Sequence, residues 1–188
     1  MAGRSTQSLD SAMRTIAAIL IILAASSVSA QWYDEVGKPL PDTEWRKSSD
    51  GLGAALLLTT EIDAFLKEWS TTPESHAPVL KPTSRAKRGD VVAALVVFFG
   101  CGSSRASCNA VVDFKVLNPD GSVYGDIPFS RAWSGPPPKP KVVTLSPAQL
   151  RIRIEPKDQL GKYTVIANFR EADSGKQIRL RQEFTVTQ

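Results

Sequence analysis

The segment Lys157–Val165, KDQLGKYTV, stands between LRIRI (Leu150–Ile154) and IANFREADSGKQIRLRQEFTV (Ile166–Val186). Both flanking runs alternate apolar and polar residues with period two, the pattern of strands that have one face on a core and one in water. Leu150, Ile152 and Ile154 point one way, opposite Arg151 and Arg153. Tyr163, Val165, Ala167 and Phe169 share a face, as do Ile178, Leu180, Phe184 and Val186, with Arg179, Arg181 and Glu183 outward. KDQLGKYTV therefore joins two antiparallel strands at a corner. A tyrosine there can place its ring in the core while its hydroxyl reaches back to the backbone, and Asp158 and Gly161 supply the turn chemistry.

Working outward, EADSGK (Glu171–Lys176) reads as a hairpin with Gly175 free to take positive φ. NAVVDFKVL (Asn109–Leu117) and SVYGDI (Ser122–Ile127) read as strands around the turn NPDG, and KVVTL (Lys141–Leu145) as another short strand. VVAALVVFF (Val91–Phe99) is apolar on both faces, so either it lies wholly inside or something covers its second side. The nearest cover is GAALLLTT (Gly53–Thr60), a strand, with EIDAFLKEW (Glu61–Trp69), a short helix. Ser70–Gly89 and SGPPPKPK (Ser134–Lys141) read as loop and stiff linker.

The pattern L-x-I-x-I-x-x-x-D-x-x-G-x-Y-x-V, carrying Asp158, Gly161 and Tyr163, resembles the E–F corner of immunoglobulin-like domains. The core position two residues on is Val165 rather than cysteine, so the likeness is to the broad immunoglobulin-like or fibronectin-like β-sandwich and not to antibodies. The wider ensemble is similar to small exported bacterial proteins of unassigned function, and it brings no catalytic residues. The resemblance, which covers about Lys87–Gln188, implies a mainly β fold with a single antiparallel sandwich. The sandwich is expected over residues 79–188, and the doubly apolar run Val91–Phe99 leads us to expect residues 31–78 as an extension of strand and short helix packed on it.

Residues 1–30 read as a signal peptide. Arg4 and Arg14 precede the apolar run Thr15–Ala25, and Val28 and Ala30 suit cleavage after Ala30, with Met1 or Met13 as the start. The apolar run is shorter than the ~20 residues that cross a bilayer. No transmembrane segment is expected in the mature chain, and the expected location is periplasmic or secreted. Losing residues 1–30 lowers the formal charge from +4 to +3, too mild to imply nucleic-acid binding. Cys101 and Cys108, an even count in an exported chain, read as a disulfide.

Catalytic chemistry has few candidates. His76, the only histidine, lies beside Ser75, and Asp63 is distant in sequence, so a small hydrolase is one alternative. The pairs Glu61/Asp63 and Glu171/Asp173 read as solvated carboxylates. The outward rows Arg151/Arg153 and Arg170/Arg179/Arg181 make a glycan- or anion-binding module the other alternative, although the two rows are expected on different sheets. No metal and no cofactor is expected. Trp133, Trp32, Tyr33 and Trp45 fall outside the regular strands, where tryptophan often anchors interfaces. The expectation is thus a non-enzymatic protein-binding or structural module. Its partner is another envelope or secreted protein, met through Trp133 and through Arg105 in the loop CGSSRASC.

Overall fold

The computed structural model describes residues 31–188 apart from Glu35, Glu74, Ser75, Ala77, Ser104 and Lys141, so the signal peptide read in residues 1–30 lies outside the described residues. In chain order the elements are β1 (Arg46–Ser49), β2 (Leu52–Thr59), α1 (Ile62–Thr71), β3 (Arg85–Lys87), β4 (Val91–Phe99), β5 (Cys108–Leu117), β6 (Val123–Gly135), β7 (Thr144–Arg153), β8 (Gly161–Glu171) and β9 (Gln177–Thr187). They form a four-stranded sheet in the order β1-β2-β4-β7 and a five-stranded sheet in the order β3-β9-β8-β5-β6. Pairing is antiparallel throughout, except that β3 runs parallel to β9. The molecule is mainly β, with the two sheets arranged as a sandwich.

The core is the set of inward positions that the period-two pattern marks. Val92, Ala94, Val96 and Phe98 of β4 face Val112, Phe114, Val165, Ala167 and Phe169 across the gap between the sheets. Burying each large apolar side chain is worth about 1.5–3 kcal/mol, so these positions hold the sheets together. The opposite positions of β4 are buried as well: Ala93, Leu95, Val97 and Phe99 are nearly inaccessible. Cover for that face comes from the segment before Val79. Trp32 packs edge-on against Phe99 at 4.9 Å, whereas β2 pairs with β4 within the sheet from Gly53–Phe99 to Thr59–Ala93. β2 is thus an internal strand of the sheet, paired on both sides.

Several elements differ from the sequence reading. Trp133 is not outside the strands, because β6 continues past Ile127 to Gly135 and pairs Ala110 with Trp133. The extension works through register shifts at Ala110/Val111 and Val112/Phe114, which absorb the Pro128-Phe129 kink that interrupts the alternation. Thr144-Leu145 from the end of KVVTL and Leu150–Arg153 of LRIRI belong to one strand, β7. Its pairing with β4 shifts between Leu95–Gln149 and Val97–Leu145, so Ser146–Ala148 bulge out opposite Val96. That bulge on an edge strand is where Pro147 is tolerated. RAKR, read as loop, supplies β3. β1 was not anticipated, although Asp50 and Gly51, both at positive φ (51° and 82°), make the two-residue turn that a Ser-Asp-Gly-Leu sequence encodes.

The corner closes as follows. Tyr163 is fully buried, and its hydroxyl donates to the Gln159 carbonyl at 3.0 Å. Asp158 Oδ2 accepts the Glu155 N–H at 2.7 Å, and the Asp158 carbonyl accepts from Arg88 at 2.7 Å. Gly161 sits at φ 128°, and a Cβ there would meet Pro119 at 3.2 Å. A second tyrosine, Tyr124 of β6, stands edge-on to Tyr163 at 5.6 Å. Its hydroxyl lies 2.8 Å from the Arg153 carbonyl and 2.9 Å from Asp158 Oδ2, so one proton serves two acceptors.

Candidate functional site

The residues singled out in the sequence fall in separate places. Cys101 and Cys108 are disulfide-bonded. Their loop is pinned from beneath by Glu171, a buried carboxylate that accepts the Gly102 N–H at 2.7 Å and the Ser174 hydroxyl at 2.6 Å. Glu171 is therefore spent on structure, and its neighbour Asp173 accepts from Asn109 at 2.9 Å. Arg105 is exposed on that loop. Trp133 turns its ring toward Phe98 at 6.1 Å and donates its N–H to the Pro136 carbonyl at 2.8 Å, so much of its contact capacity is used internally. Arg151 and Arg153 sit on β7, and Arg170, Arg179 and Arg181 on β8 and β9, which puts the two basic rows on different sheets.

What the structure does bring together is the other set of aromatics. A cleft of about 840 Å³ lies on the outward side of the four-stranded sheet, within the range typical of ligand sites. All four strands contribute: Arg46 from β1, Ala55 and Leu57 from β2, Val97 from β4, and Thr144 and Leu145 from β7. The rim comes from Trp32, Tyr33, Leu40 and Trp45 before β1, and from Trp69 through His76 to Leu80 after α1. Three of the four tryptophans of the chain, Trp32, Trp45 and Trp69, thus surround one hollow.

Each indole is held by identifiable contacts. Trp32 donates its ring N–H to the Lys47 carbonyl at 3.1 Å and leans on Phe99. Trp69 stacks on Phe65, the buried residue of α1, at 6.2 Å with the rings nearly parallel. Arg46 places its guanidinium 5.1 Å from the centre of the Trp45 ring, within cation–π range. The sequence flagged Trp32, Tyr33 and Trp45 as aromatics outside strands. It did not reveal that Trp69, on an amphipathic helix, meets them on the far side of a sheet. The signal available was the density of tryptophan before Ser70, set against a single tryptophan after it.

His76 lines the same cleft, exposed, with its backbone N–H donated to the Pro73 carbonyl at 2.9 Å. Of its sequence-proposed companions, Ser75 lies outside the described residues. Asp63 sits in the first turn of α1 and is not part of the lining. The described lining contains no aspartate, glutamate or cysteine. No helix among the described residues is long and apolar enough to cross a membrane.

No protein-family model matches the chain, and no curated protein matches it. Among solved structures, it is similar to a family 123 glycoside hydrolase from Clostridium perfringens, studied for glycolipid glycan hydrolysis. The TM-score is 0.44 at 12% identity, over 72% of this chain and 27% of that one. An alkylpurine DNA glycosylase from Pseudomonas fluorescens, bound to DNA containing an abasic site analog, gives TM-score 0.39 at 13% identity, over 56% of this chain and 28% of that one. A Niemann-Pick type C2 protein from Japanese carpenter ant gives 0.37 at 12% identity, over 78% and 96%. The chain spans just over a quarter of the length of the first two. At these scores the likenesses carry no argument about what the cleft receives.

Proposed function

We propose that this protein is an exported, periplasmic or secreted, immunoglobulin-like β-sandwich that acts by binding rather than by catalysis. Its partner is a segment of another envelope or secreted protein, seated in the tryptophan-lined cleft. The observation that carries the reading is the convergence of Trp32, Trp45 and Trp69 on one hollow floored by every strand of the four-stranded sheet. Rigid aromatic side chains around a concave apolar floor are the usual anchors of a protein contact. The immunoglobulin-like assignment is supported by the tyrosine corner at Gln159–Tyr163, by the division of β4/β7 and β5/β8/β9 between two sheets, and by the parallel edge strand β3 against β9. Export is supported by the disulfide.

The partner is held by side chains rather than by strand addition at β1. That edge is already occupied by the chain itself: Thr43 exchanges hydrogen bonds with the Arg46 N–H and carbonyl, and Asp42 accepts the Ser48 N–H. A hydrolase built on His76 finds less support, because Asp63, its companion in the sequence reading, sits in the first turn of α1 and is not part of the lining.

The test is capture of envelope proteins on the exported protein, comparing wild type with Trp69→Ala and Trp133→Ala. A specific partner retained by wild type and Trp133→Ala but lost by Trp69→Ala supports the cleft. Loss only with Trp133→Ala moves the contact to β6, and equal capture by all three removes the reading.

A further inference from the structure

The cleft contains one charged group whose needs the fold does not meet. Arg46 lines it, and one terminal nitrogen donates to the Pro41 carbonyl at 3.2 Å. Its Nε is buried with no hydrogen-bond partner. Among the described residues no carboxylate pairs with Arg46, although six other cation–carboxylate pairs lie within 4.0 Å. A guanidinium stays protonated at any physiological pH, so it cannot escape by losing its charge. A buried donor without an acceptor is unfavourable, and more so when it is cationic. The Trp45 ring under the guanidinium offsets part of that deficit through its π face, but it cannot accept in the plane of the fork.

From this we infer that the segment bound in the cleft presents an acidic side chain to Arg46, flanked by apolar residues that lie on the tryptophans. The inference rests on the proposed seat in the cleft and adds the chemistry of what sits there. Two features favour an acidic-apolar peptide. The rest of the described lining is aromatic, aliphatic, proline or hydroxyl apart from His76, so Arg46 is the only fixed charge among the described residues of the lining. A planar guanidinium supported on an indole also matches the two oxygens of a carboxylate in a way that a single lysine charge does not.

The three cleft tryptophans supply the readout, since their emission responds to a ligand placed among them. The probes are acetyl-Ser-Val-Leu-Glu-Leu-Val-Ser-amide and the two peptides with Gln or Lys in place of Glu, titrated into the exported protein. The Glu peptide is expected to bind about tenfold more tightly than the Gln peptide, the size of one charge-assisted pair, with the Lys peptide weakest. Arg46→Gln should abolish the Glu-over-Gln preference while leaving residual apolar binding, and Arg46→Lys should restore part of it. Equal affinities in wild type, a preference that survives Arg46→Gln, or no binding by any of the peptides would each overturn the inference. Should the envelope partner depend on Trp69 while the Glu preference is absent, the seat stands and the acidic contact falls. If capture ignores Trp69, the seat itself is lost.

Discussion

Gly53 and Phe99 are register partners on β2 and β4, and the Phe99 ring lies so close over the glycine that an added Cβ would collide with its Cζ. Glycine is used here because only a bare Cα leaves room for the ring, and the ring in turn supports Trp32, 4.9 Å away. A position that looks like a weak point in a strand is what allows one wall of the cleft to stand.

Gly53→Ala is therefore expected to swing Phe99 off the sheet and release Trp32. The cost should be about 1–3 kcal/mol, as for other overpacked sites. Denaturant unfolding gives the energy, and a red shift in tryptophan emission in the native state reports the lost wall. A variant that keeps both wild-type stability and wild-type emission would show that the ring is not held there.

At the corner, Tyr163→Phe removes the donor to Gln159 and leaves that carbonyl without it. A loss of about 1–2 kcal/mol is expected. Gly161→Ala should cost at least as much, since it combines positive φ with a 3.2 Å approach to Pro119. Thermal unfolding of the two variants checks the order.

The same corner predicts an alkaline limit to stability. Burial, reinforced by the Asp158 carboxylate, pushes the Tyr124 phenol well above its ordinary value, and burial followed by Asp158 raises Tyr163 as well. A phenol whose folded pKa lies above its unfolded one stabilises the fold fully below about pH 10, and that contribution is lost as pH rises through the folded values. Melting temperature should fall steeply above pH 10. Tyr124→Phe should flatten that decline, which melting curves at a series of alkaline pH values would reveal.

Phe129 offers a contrasting case. It holds φ at 55° and is 71% exposed, its N–H bound to Asp113 at 2.8 Å and its ring under Arg170 at 5.4 Å. Left-handed backbone costs an ordinary residue about 1–2 kcal/mol, and little burial compensates here. Phe129→Gly is expected to match or exceed wild type by up to ~1 kcal/mol, measured by chemical unfolding. A clear loss would mean that the Arg170 contact outweighs the strain.

Removing the disulfide by Cys101→Ser with Cys108→Ser should cost about 2.5 kcal/mol, the entropy of so short a loop. The Gly102 N–H that Glu171 accepts should lose protection as well, and amide exchange would register that change.

Much of this could be read from residues because local chemistry dictates it. β5, β8 and β9 follow from apolar periodicity, and β4 from an unbroken apolar run. The NPDG hairpin closes through the Gly121 N–H to Asn118 and the Asn118 N–H to Ser122. The corner tyrosine finds its carbonyl four residues back. These are interactions between near neighbours, and a short stretch of sequence contains both partners.

The cleft was not readable in the same way. Trp32, Trp69, Val97 and Leu145 meet only because β2 inserts between β1 and β4, and β7 joins on the far edge. β6 and β7 likewise outran their periodicity, since bulges opposite β5 and β4 restored pairing that the alternation alone would have ended. By itself the sequence determined which faces are apolar, where the chain turns and which cysteines can close a loop, because each depends on residues a few positions apart. Tertiary structure alone decided which aromatics share a hollow and that Arg46 stands among them with no carboxylate paired to it among the described residues, because sheet order places residues distant along the chain within a few ångströms of one another.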